Sequence, residues 1–152
     1  MTFSPTTSEL IESAGAGKVY KEEQAITLTA AKGEWQDIKM GRFAQIKVGV
    51  LQPMDGAASP NVAGVVKYTP VNAIEDGETV NDATVNEVEY VRSGLISVAV
   101  KSGQTAPNKF AAVQAYNTAG ADLGLAVASG GVATNAEFIE DLGNDVWLIR
   151  LK

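Results

Sequence analysis

The side chains that most often perform catalysis are absent from this chain. The 152-residue sequence contains no histidine and no cysteine. Histidine is the usual general base near neutral pH, and most zinc sites use histidine or cysteine. Without cysteine there is also no disulfide framework and no thiolate nucleophile. A catalytic or metal site would therefore have to be built from carboxylates, hydroxyls and amines.

The segment "GAGK" at residues 15–18 invites comparison with a phosphate-binding loop. The pattern G-x-x-x-x-G-K-[ST] needs a glycine five residues before Gly17, where this chain has Glu12. It also needs serine or threonine after Lys18, where this chain has Val19. Because the backbone cradle and the magnesium ligand are both missing, we interpret the segment as an ordinary loop.

Several carboxylates lie close together near the C-terminus and could supply oxygen ligands for calcium. They are Glu137, Glu140, Asp141 and Asp145. Their spacing does not follow an EF-hand loop, and a solvated turn before the last strand is the simpler interpretation. A carboxylate pair for glycoside hydrolysis could come from distant strands, but no pair stands out.

Ser97 and Lys101 are the candidates for a serine–lysine dyad. Such a dyad needs a helix or a sharp turn to bring its members together, whereas both residues lie on or just after a predicted strand. Trp35 and Trp147 also lie in strand-like stretches, where a tryptophan more often belongs to the core than to a ligand platform. We therefore predict that the protein is not an enzyme, with no catalytic residue, no metal ligand and no cofactor.

The composition favours a globular chain that binds neither nucleic acid nor anionic membranes. Hydrophobic residues make up 45% and charged residues 20%, which suits one compact domain with its own core. The net charge is −6, whereas affinity for phosphate backbones and anionic lipids depends on lysine and arginine. No apolar run of about 18 residues predicts a membrane span, and the first ten residues do not have the pattern of a secretory signal.

Alternating polarity from residue 18 onward predicts strands, because a period of two is typical of half-buried β-structure. In "FAQIKVGVL" the alternation places one set on a single strand face: Ala44, Ile46, Val48 and Val50. In "VEYVRSGLISVAV" it predicts a hairpin whose turn is Ser93-Gly94. The run "LISVAV" and the final strand predict a buried set: Ile96, Val98, Val100, Trp147 and Ile149.

Turn signals recur about every eight to twelve residues, and no long helical pattern occurs. We therefore predict an all-β fold: one domain of jelly-roll-like or related β-barrel or sandwich type over residues 18–152, with an N-terminal arm over residues 1–17. The arm has only three sizeable apolar residues, Phe3, Leu10 and Ile11, too few to form a core. It is expected to be mobile in the free protein, either extended or as a short helix, and to anchor on a partner through those three side chains.

The region from about residue 44 to the C-terminus resembles the structural cement proteins, or capsid decoration proteins, of tailed bacteriophages. The resemblance lies in the order of its segments rather than in any catalytic signature, and it covers roughly two-thirds of the chain. The segments are "AQIKVGVL", "QPMDGAASPNV", "AGVVKYT", "NAIEDGETVND", "VEYVRSGLISVAV", "KSGQTAPNKFAAVQAY" and "GGVATNAEFIEDLGNDVWLIRLK". The first 40 residues match the family poorly.

The resemblance implies a non-enzymatic protein, made in the host bacterial cytoplasm, that sits on the outer surface of the phage capsid. Its partner would be the major capsid protein, and it would be a homo-oligomer, either a dimer or a trimer. Two alternatives stay open. One is another virion β module, such as a head-fibre or tail component, although no repeat-rich shaft occurs. The other is a carbohydrate-binding or hydrolytic β-barrel, for which 7% aromatic residues leave few for a binding platform.

Overall fold

A computed structural model describes residues 15–21, 24–31, 38–69, 79–80, 87–103 and 107–152. Within these ranges there is no α-helix. The strands are β1 (Val19–Tyr20), β2 (Ile26–Ala31), β3 (Ile38–Lys39), β4 (Phe43–Lys47), β5 (Val50–Pro53), β6 (Val62–Val66), β7 (Thr79–Val80), β8 (Glu87–Ala99), β9 (Ala112–Ala115), β10 (Ala126–Val127), β11 (Val132–Gly143) and β12 (Val146–Leu151). The all-β prediction is confirmed. None of the described ranges holds a helix long and apolar enough to cross a membrane.

Ten of these strands form one sheet, and their pairings make two closed circuits that share β8. In the first circuit, β8 pairs with β2, β2 meets β5, β5 pairs with β4, β4 with β6, and β6 returns to β8. All of these contacts are antiparallel except β2–β5, which is parallel and confined to Ala31 and Val50. A closed circuit satisfies backbone hydrogen bonds without leaving long sheet edges.

The second circuit uses the other half of β8. It runs from β8 through β12, β11 and β9 to β10. It closes where Val100, just after β8, bridges to Ala126 of β10. The backbone N–H of Lys101 also donates to the carbonyl of Ala126 at 3.1 Å. β3 and β7 form a separate two-stranded sheet.

β8 is one continuous strand of 13 residues, so the predicted Ser93-Gly94 hairpin turn is wrong. The two halves of β8 do not pair with each other. Residues up to Ser93 pair with β2, whereas Gly94 onward pairs with β12. The glycine is needed for a different reason: a Cβ on Gly94 would lie 2.8 Å from the Cα of Ala25. The segment before β2 therefore crosses close to β8 at Gly94, the point at which the strand paired with β8 changes from β2 to β12.

Residues 43–53 form a hairpin of β4 and β5, so Val48 does not share a buried strand face with Ala44 as predicted. Lys47 pairs with Val50, which leaves Val48-Gly49 as a two-residue turn. Both turn residues have positive φ, 53° and 75°, as a type I′ turn requires. Val48 is 93% exposed, whereas Ala44 is buried.

The core lies inside the circuits and between them. One buried cluster is drawn from the strands of the first circuit, from β3 and from the turn after β3: Ile38, Met40, Ala44, Leu51, Ala63, Val66, Val88 and Tyr90. A second cluster joins Phe43 and Val65 of the first circuit to Phe138 of the second, so the two circuits share one core. The predicted buried set is confirmed for Ile96, Val98, Val100 and Ile149, whereas Trp147 is half-buried.

Candidate interaction surface

Residues 15–18, the "GAGK" segment, form a strap across β8 rather than an anion cradle. The N–H of Gly17 donates to the carbonyl of Ser97 at 2.7 Å, so it is already used. A Cβ on Gly17 would lie 2.9 Å from the backbone N of Tyr68, so glycine is required there by close packing. The Lys18 ammonium lies 3.5 Å from the centre of the Tyr68 ring, and burial lowers the pKa of Lys18. Residues 15–18 are therefore held against the domain.

The Ser97 hydroxyl fastens this strap. It is fully buried, donates to the carbonyl of Gly15 at 2.8 Å and accepts from the N–H of Lys18 at 3.0 Å. Lys101 is engaged elsewhere: its ammonium lies 4.0 Å from the Asp122 carboxylate and 5.4 Å from the centre of the Tyr116 ring. The sequence candidates for a dyad therefore serve structural roles.

Ser97→Ala is expected to lower the free energy of unfolding by about 1 kcal/mol or more, because it leaves half-buried backbone groups of Gly15 and Lys18 without the Ser97 hydroxyl. Urea unfolding measures this loss. Ser93→Ala is the matched control, since the Ser93 hydroxyl is half-buried and its contact to Leu151 is long, at 3.5 Å. Equal losses from the two variants would contradict the role assigned to Ser97.

The C-terminal carboxylates are distributed among separate contacts. Glu137 pairs with Arg150 and with Lys152, each at 3.5 Å. Asp141 accepts from the N–H of Gly143 at 2.9 Å, and Asp145 lies in the exposed β11–β12 turn. Among the described residues no three metal-ligating side chains come together. These carboxylates therefore form ion pairs and stabilise a turn, and they do not converge on a common site.

Trp147 packs on the core, and a separate cavity lies beside β3 and β4. The Trp147 ring meets the buried Phe138 ring edge to face, with 5.4 Å between their centres. Trp35 lies outside the described residues. A cavity of about 430 Å³ is lined by Ile38, Phe43 and Met54 among others. Arg42 at this cavity donates to the carbonyls of Ala121 and Leu123, so it braces the loop that forms one wall.

Exposed apolar side chains are the surface feature that the packing leaves unexplained. The large ones in the described ranges are Ile26 (55%), Leu28 (39%), Val48 (93%) and Phe110 (61%). Ile26 and Leu28 lie on β2, which pairs with β8 on one side and meets β5 only at Ala31. Since Ala31 is opposite Val50, the end of β2 and the start of β5 lie side by side.

Side-chain contacts tie the β4–β5 hairpin to the segment that follows it. Lys47, next to the turn, and Asp55, after β5, form a partly exposed ion pair at 3.3 Å. The Asp55 carboxylate also accepts from the N–H of Ala57 at 3.0 Å. That backbone hydrogen bond, followed by one from the Gln45 side chain, holds the pKa of Asp55 below its usual value. Gln45 is itself buried and donates to the Pro53 carbonyl at 3.0 Å.

The residues predicted to anchor a partner, Phe3, Leu10 and Ile11, lie outside the described residues. Among the described residues, sequence reasoning placed Val48 on a buried strand face and so missed its exposure. Its signal was weak: Gly49 tolerates positive φ, but the first turn residue is valine rather than the asparagine, aspartate or glycine that marks such hairpins. The alternation of apolar and polar residues continues through Val48 to Val50, so the sequence pattern predicts an unbroken strand instead of a turn.

The fold and the surface together define an all-β barrel-type module with several exposed apolar side chains among its described residues. The chain is similar to a chain in the solved capsid of Myoviridae phage XM1, with a TM-score of 0.80 and 26% sequence identity. The match covers 91% of this chain and 89% of that chain, so the two are almost equal in length. No protein-family model and no curated protein sequence matches this chain.

Proposed function

We propose that this protein is a non-enzymatic capsid cement, or decoration, protein of a tailed bacteriophage. The similarity to a chain in the phage XM1 capsid, over nearly the whole length of both chains, carries the proposal. That similarity supports a virion structural protein. The finer role, binding the outer surface of an assembled head and stabilising contacts between major capsid subunits, is our inference.

The chemistry of the described residues supports a structural role. The hydroxyl of Ser97 and the carboxylate of Glu137 are engaged in contacts that hold the fold together. The surface offers exposed apolar side chains, which mark protein contacts when they lie near one another. The net charge of −6 is consistent with a protein partner rather than a nucleic acid or an anionic membrane.

The mechanism is linkage. A ligand that binds the assembled shell and not the separated subunits stabilises the shell by mass action. A cement that touches several subunits at once gains further from avidity, because each contact raises the effective concentration of the next. No bond is made or broken, so the proposal needs no catalytic residue and no cofactor.

The arm is a second part of the proposal. Residues 1–17 would form an arm that adds Phe3, Leu10 and Ile11 to the contact, and residues 18–152 would form the β domain. The strap hydrogen bonds at Gly15 and Gly17 support the idea that the arm leaves the domain at a fixed point on β8. Binding of the arm in a groove of the partner would then add apolar contact area, and it would cost the conformational entropy of ordering the arm.

A homo-oligomer, either a dimer or a trimer, stays a prediction that rests on the resemblance to decoration proteins. The apolar runs "LISVAV" and "AGVVKY" do not support it with an exposed strand face, because Val65, Val66, Ile96 and Val98 are all buried within one chain.

The proposed function is tested on heads that lack the protein. Adding it in excess should raise the temperature at which the heads rupture, since binding at about 100 times Kd contributes about 2.7 kcal/mol per site. An equal concentration of an unrelated acidic β-domain is the control. Heads that bind the protein and rupture at an unchanged temperature would contradict a cementing role.

A further inference from the structure

Two hairpins in this chain share one turn geometry but differ in sequence. The β4–β5 turn, Val48-Gly49, has φ values of 53° and 75°. The β11–β12 turn, Asn144-Asp145, has φ values of 54° and 58°. In each case the flanking residues pair directly, so both turns have two residues.

Only one of the two turns carries side chains suited to that geometry. Positive φ is tolerated by asparagine, aspartate and glycine, which is why they dominate such turns. In a β-branched residue the Cβ is crowded against the backbone, so positive φ in valine is a genuine outlier. Val48 therefore occupies a position where asparagine would be more stable.

The strain at Val48 is not offset by burial within the chain, because the side chain is 93% exposed. Strained residues that persist in spite of their conformation cluster at binding and active sites. Resting on the proposed function, we propose that Val48 is an anchor that inserts into an apolar pocket of the phage shell protein.

The surroundings of the turn suit such a contact. The partly exposed ion pair between Lys47, next to the turn, and Asp55, after β5, places a charged pair near the tip. Ile26 and Leu28 are also exposed, on β2, whose last residue Ala31 pairs with Val50 beside the turn. A central apolar anchor surrounded by polar groups is the usual form of a protein contact.

A shell protein fits this anchor better than a second copy of the chain. The similarity that carries the proposed function is to a chain from a phage capsid, so a shell protein is the expected neighbour. A contact of the tip with a second copy would be heterologous and would have to close into a ring such as the predicted trimer, and the test below distinguishes the two occupants.

The test compares two reciprocal variants. Val48→Asn gives the β4–β5 turn the favoured residue, and Asn144→Val places the disfavoured residue in the other turn. Val48→Asn should raise Tm by about 2–4 °C and weaken head binding about tenfold or more. Asn144→Val should lower Tm by a similar amount and leave the Kd for heads unchanged. Val48→Ile, which stays apolar, should retain binding.

The outcomes separate this inference from the proposed function. If the wild-type chain does not bind heads, the proposed function fails and this inference fails with it. If the wild type binds and Val48→Asn binds equally well, the anchor is wrong while the cement role stands. If Val48→Asn instead dissociates an oligomer of the free chain in sedimentation, the occupant is a second copy and the shell pocket is wrong.

Discussion

Gly94→Ala is expected to lower the free energy of unfolding by about 3 kcal/mol or more. Two effects add at this position. The φ of Gly94 is 119°, which side chains with a Cβ rarely adopt, and the new methyl group would lie 2.8 Å from the Cα of Ala25. Because the obstacle is backbone, the crossing segment between β1 and β2 would have to move away from β8.

Gly120→Ala separates the two effects. Gly120 has a φ of 139°, and a Cβ there would meet nothing within 4 Å. Gly120→Ala should therefore lower the free energy of unfolding only through the unfavourable φ, by about 1–3 kcal/mol. This loss should be smaller than that of Gly94→Ala. Urea unfolding of both variants, with the slope m compared to exclude a change of unfolded state, measures the difference. Equal losses would mean that the close crossing does not constrain the fold.

Deletion of residues 2–14 is expected to weaken head binding by a few kcal/mol while leaving Tm nearly unchanged. The binding loss corresponds to two or three apolar side chains that are no longer buried, those of Phe3, Leu10 and Ile11. The domain should keep its stability because the deletion leaves the strap, including the Ser97 contacts to Gly15 and Lys18.

Alanine at positions 3, 10 and 11 in the full-length chain is the matched variant, since it keeps the arm's length and removes its apolar groups. It should reproduce most of the binding loss. If the deletion instead unfolds the isolated protein, the arm is part of the domain's own sheet and the boundary near residue 18 is wrong. If neither variant changes head binding, the arm is not an anchor.

The fold class could be predicted because it depends on local alternation. Ile96, Val98 and Ile149 sit in runs whose apolar character requires cover, and all three are fully buried. The course of the chain could not be predicted in the same way. A serine followed by glycine predicts a turn locally, yet Gly94 is there for contact with Ala25, 69 residues earlier in the sequence.

The surface was harder to predict than the core. Val48 continues the alternation of "FAQIKVGVL", so its exposure depends on the hairpin register of Lys47 with Val50. Ile26 and Leu28 alternate with threonines as a half-buried strand would, and both are exposed on β2. Strand partners far along the chain determine which apolar residues are exposed. A polarity pattern with a period of two carries no information about those partners.

The cement role is tested most directly by comparing the affinity of the chain for assembled heads and for free major capsid protein of the same phage. A cement gains from touching several subunits at once, so heads should be bound far more tightly than a lone subunit. Co-sedimentation with heads and calorimetry with the free subunit provide the two values of Kd. A markedly lower Kd for heads is the result we predict, and equal affinity for heads and for the free subunit would contradict the cement mechanism.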